Sequence, residues 1–110
     1  MDYGYLSQKF SLARSSLMLP HPHGEVASVT AAMHECAEAL GGVKDQRPER
    51  LEPYLSRLIS FMDTTGMVDP DGRGLHAVKA ESFTDHERHQ FANTVDELAS
   101  KCARYSHEQL

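Results

Sequence analysis

The chain has 110 residues and a mass of 12.3 kDa, with 16 acidic against 11 basic residues and a net charge of −5 when its seven histidines are neutral. That length suits one domain over residues 1–110, because two half-size domains would each bury too little surface. A composition 40% hydrophobic and 25% charged excludes a disordered tail or a collagen-like chain. No apolar run approaches the ~20 residues of a membrane helix, and no export signal is visible, so the cytoplasm is the expected compartment.

The first predicted element runs from Tyr3 to about Leu19. Leu6, Phe10, Ala13 and Leu17 recur at helical spacing. Tyr5, Leu12 and Leu19 recur at seven on another side, so this helix has either two neighbours within the chain or a second stripe for a partner. Pro20 and Pro22 end it. A second helix spans about Glu25 to Leu40, with Val26, Val29, Met33, Cys36, Ala37 and Leu40 inward, and Gly41-Gly42 stops it.

A third helix is predicted from about Pro48 to Thr64, with Pro48 or Pro53 in its first turn. Leu51, Leu55, Leu58 and Met62, widened by Tyr54, Ile59 and Phe61, make its face broad enough to suggest the most buried helix. Residues 66–82 read as an irregular crossover with a turn at Asp69-Pro70-Asp71-Gly72. Met67-Val68 and Leu75 to Val78 are candidate arms of a short hairpin there. The last helix starts after Thr84, which forms a capping box with Glu87 and follows a staple residue, Phe83. Phe91, Val95, Leu98, Cys102 and Tyr105 carry it to about residue 105. The expected fold is all-α, a compact four-helix bundle-like domain with the first three helices as near-neighbours.

The chemistry-bearing residues do not form a recognised catalytic set. Cys36 and Cys102 lie in no zinc spacing and read as buried thiols. His21, His23 and Glu25, with His34 and Glu38 further along the second helix, are a candidate metal cluster if the loop folds back. Otherwise His34 and Glu38, four apart, make a surface pair. His86 and His89 are three apart, which misses the four-residue spacing of a zinc-protease helix, and they face away from the Phe91 stripe. Asp69 and Asp71 lack the remaining ligands of a calcium loop. No phosphate-binding glycine loop or nucleophile elbow is present.

No catalytic residue, cofactor or metal ligand is therefore assigned, and enzymatic activity is not the favoured reading. The expected function is that of a small interaction or regulatory module, an adaptor or inhibitor acting through helical surfaces. Its candidate partner-binding residues are Tyr5, Leu12, Leu19, Glu35 and Glu38. The acid-rich second helix suits a basic protein partner, and the apolar stripe suits a homodimer. A histidine-rich metal-binding protein or metal-dependent enzyme is the alternative. A winged-helix DNA-binding regulator is weaker, because no helix carries the basic stripe that phosphates require.

Overall fold

The computed structural model describes residues 2–18 and 24–109. Helix α1 spans Tyr3–Met18, α2 Glu25–Gly41, α3 Glu52–Met62, α4 Leu75–Ser82 and α5 Asp85–Glu108, and a 3₁₀ turn at Glu49–Leu51 leads into α3. No strand occurs among the described residues. The fold is all-helical, as the sequence pattern predicts, with a fifth short helix added to the expected four.

Local chemistry accounts for most of the boundaries. The Asp2 carboxylate accepts from the Tyr5 N–H at 3.0 Å, serving a donor that no helical carbonyl can reach at the start of α1. The Gly42 N–H turns back onto Ala39 and Glu38 carbonyls to close α2. Pro53 sits in the first turn of α3, where its missing N–H costs nothing, while Pro48 precedes the 3₁₀ turn in extended conformation.

The predicted turn forms: the Gly72 N–H bonds to the Asp69 carbonyl at 3.3 Å, and Gly72 has the positive φ of 67° that the turn needs. The Asp69 carboxylate also accepts from the N–H groups of Arg73 and Gly74. The hairpin does not form, because Leu75 to Val78 is the first half of α4. A lone two-stranded hairpin is marginal in water. Here a helix can instead bury Ala80 completely, and Arg73 holds Glu81 in a two-bonded fork at 2.6 and 2.7 Å.

Packing order also departs from expectation. Helix α1 lies between α2 and α5, α2 also carries α4, and α3 lies chiefly against α5. The first three helices are thus not one mutual set. Nor is α3 the most buried element: Leu55 and Leu58 are inside, but Ile59 is exposed and Tyr54, Phe61 and Met62 only cover the core edge. The core is dominated by α5 and α2, with Phe91, Val95, Leu98, Cys102, Met33 and Cys36 fully enclosed around Phe10 and Leu6 of α1.

The capping box at the start of α5 is complete. The Glu87 N–H donates to the Thr84 hydroxyl at 3.1 Å, and the Glu87 carboxylate accepts from the Thr84 N–H at 2.9 Å. Replacing Thr84 by Ala removes one half of this exchange and is expected to cost about 1 kcal/mol. In a urea titration the midpoint should fall with an unchanged slope. An unshifted midpoint would mean that the cap adds nothing to the packing of α5.

Candidate interaction face on α1 and α2

Helical phase places Tyr5 and Leu12 on the outer side of α1, away from the Leu6–Phe10–Ala13 stripe. α1 has both α2 and α5 as neighbours, yet they leave Leu12 44% exposed. Tyr5 is 37% exposed and partly occupied: its hydroxyl donates to the Glu38 carbonyl at 3.3 Å, and its ring rests over Gly42. A Cβ at position 42 would stand only 3.0 Å from that ring, so the small residue there permits the tyrosine to cross from α1 to α2.

Lys9 reaches across the same groove. It pairs with Glu35 at 3.4 Å and, closer still, with Glu38, and it lies 5.9 Å from the centre of the Tyr5 ring. The Glu38 carboxylate is the main reason that the Lys9 ammonium is held above its ordinary pKa, with Glu35 adding to it. Four of the five predicted partner residues therefore fall on one face: Tyr5 and Leu12 on α1, Glu35 and Glu38 on α2. Leu19 lies outside the described residues. Lys9 was missed by the sequence reading, although three acids on a helix without a single Lys or Arg call for a cation from another element.

The histidines divide differently from expectation. His21 and His23 lie outside the described residues. The anticipated His34–Glu38 pair is replaced, since Glu38 belongs to Lys9 and His34 meets His76 of α4 at 3.2 Å between Nδ1 atoms. His86 and His89 are exposed, as their phase predicts. Among the described residues, no group of three or more His, Cys, Asp or Glu is placed to hold a metal.

Cys36 and Cys102 are free and fully enclosed, and burial pushes both thiols up to about 12. Such thiols are neutral packing groups at ordinary pH. Among the described residues no helix is long and apolar enough to cross a membrane. Comparison of the chain with protein-family models, curated proteins and solved structures gave no match in any of the three.

Proposed function

We propose that this chain is a small protein-interaction or regulatory module that engages its partner through the outer face of α1 and α2. The observation that carries the reading is the exposed Leu12, which helical phase puts on the same side of α1 as Tyr5 and as Lys9, the partner of Glu35 and Glu38. An apolar centre with a charged rim is the usual anatomy of a protein interface. One lysine against two glutamates leaves this rim acidic, which favours a partner presenting an apolar side chain flanked by basic ones. A second copy of the chain is the competing occupant. The two thiols are sealed in the core.

The reading predicts that Leu12→Asp and Glu38→Lys each abolish partner retention or self-association, measured by affinity capture and native mass spectrometry of the full chain. Ile59→Asp, an equally exposed apolar site on α3, should leave both intact. Association that survives Leu12→Asp combined with Glu38→Lys, or a wild-type chain that neither self-associates nor retains any partner, overturns it.

A further inference from the structure

His34 and His76 are 42 positions apart in sequence, yet their Nδ1 atoms stand 3.2 Å apart and their ring centres 4.9 Å apart. They join α2 to α4. Burial, and secondarily the neighbouring His34, hold the His76 imidazole below its ordinary pKa. We propose that His34 and His76 form an open two-imidazole site for a borderline divalent transition ion such as Zn²⁺, which clamps α4 onto α2.

The spacing carries the argument. Two imidazole nitrogens each about 2.0–2.1 Å from a tetrahedral ion lie roughly 3.3 Å from one another. The observed 3.2 Å is close to that value, so an ion fits between the rings with little movement. Without an ion, one Nδ1–H donates to the other Nδ1. Binding shifts that proton to Nε2 of the same ring, and both Nδ1 lone pairs then face the metal.

Among the described residues, neighbouring donors do not complete the set. Glu38, one turn beyond His34, is held by Lys9, and Cys36 is enclosed with its thiol near 12. The remaining positions fall to water, which makes this an exchangeable site weaker than a four-donor structural zinc. Imidazole donors favour Zn²⁺, Cu²⁺ or Ni²⁺ over Mg²⁺ or Ca²⁺. The clamp would add to the seat of α4 on α2, an eight-residue helix that follows the irregular segment 63–74.

The test is a Zn²⁺ titration of the chelator-stripped full chain at about pH 7.5, read by competition with a metal indicator and by thermal melting. Stoichiometric binding is expected, with a raised melting temperature. His34→Ala and His76→Ala should each weaken binding by roughly tenfold or more and remove the thermal shift. His86→Ala and His89→Ala should leave both readouts unchanged, and Mg²⁺ should produce neither. Both rings are at least partly exposed, so the metal-free variants should keep the wild-type circular dichroism. If His76→Gln is used as a second, polar variant, it should match His76→Ala. Zn²⁺ binding that persists in the His34 and His76 variants, or no stoichiometric binding by the wild type, refutes the site.

Discussion

Phe91→Ala is expected to destabilise the domain by about 3–5 kcal/mol, the range for truncating a large aromatic side chain in a closed core. Phe91 is fully enclosed at the first turns of α5. Its ring centre lies 5.9 Å from that of Phe61 on α3 and 5.8 Å from that of Phe83 just before α5. Phe61 and Phe83 also meet edge-on at 5.8 Å, so the three rings form a closed triangle. The truncation removes buried apolar surface, one edge-on and one tilted ring contact, and it leaves a cavity that three different segments would have to move to fill. Because Phe91 is fully enclosed, the loss should exceed that of Phe61→Ala, where the ring is only half-buried. Urea denaturation measures both. A melting temperature lowered by roughly 15 °C or more is the matching thermal signature. A loss under about 1 kcal/mol would mean that the triangle collapses without strain and does not organise this end of the bundle.

Elements whose cause is local were legible in the sequence. The start of α5 is written in Thr84 and Glu87, whose reciprocal bonds need nothing beyond their own turn. The turn at Asp69–Gly72 rests on its own glycine and proline. Helix α4 was not legible for the opposite reason. Its eight residues bury only Ala80, and Leu75 and Val78 fit the start of a strand as well as one turn of helix. What selects the helix is non-local, namely its seat on α2 and the Arg73–Glu81 fork. The packing order was hidden likewise, since a wide apolar stripe on α3 reports how much surface needs covering and not which helix covers it.

The candidate face was legible as residues and not as contacts. Period-seven spacing picked out Tyr5 and Leu12 on α1, and acid content picked out Glu35 and Glu38 on α2. Their meeting depends on how two helices lie side by side, as does the role of Lys9 between them. The His34–His76 contact is further from reach still, because it depends on α4 being a helix at all. A histidine four residues from a glutamate invites a pair within one helix, but Lys9 already claims Glu38 from across the groove.

The enclosed thiols of Cys36 and Cys102 make stability fall at alkaline pH, and Cys36 isolates one such contribution. In the unfolded chain the thiol ionises near its ordinary value of 9.0, whereas burial, helped by the nearby Glu35 charge, holds it to about 12 in the folded state. Between those values the unfolded chain has lost a proton that the folded chain keeps. Stability contributed by the neutral thiol is therefore intact below about pH 9 and declines by about 1.4 kcal/mol per pH unit as pH rises toward 12. At about pH 11 the Cys36 contribution alone reaches roughly 2–3 kcal/mol, a large fraction of the margin of an ordinary small domain. Lysines and tyrosines also titrate in this range, so the decisive quantity is a difference. Urea denaturation of the wild type and of Cys36→Ala from about pH 7 to 11 should give two curves that converge as pH rises, the variant losing less than the wild type. At neutral pH the variant should be the less stable protein, because the alanine leaves a void where the sulfur sat. Parallel curves would show that the Cys36 thiolate reaches water in the folded chain, and that the centre of α2 opens more readily than its complete enclosure implies.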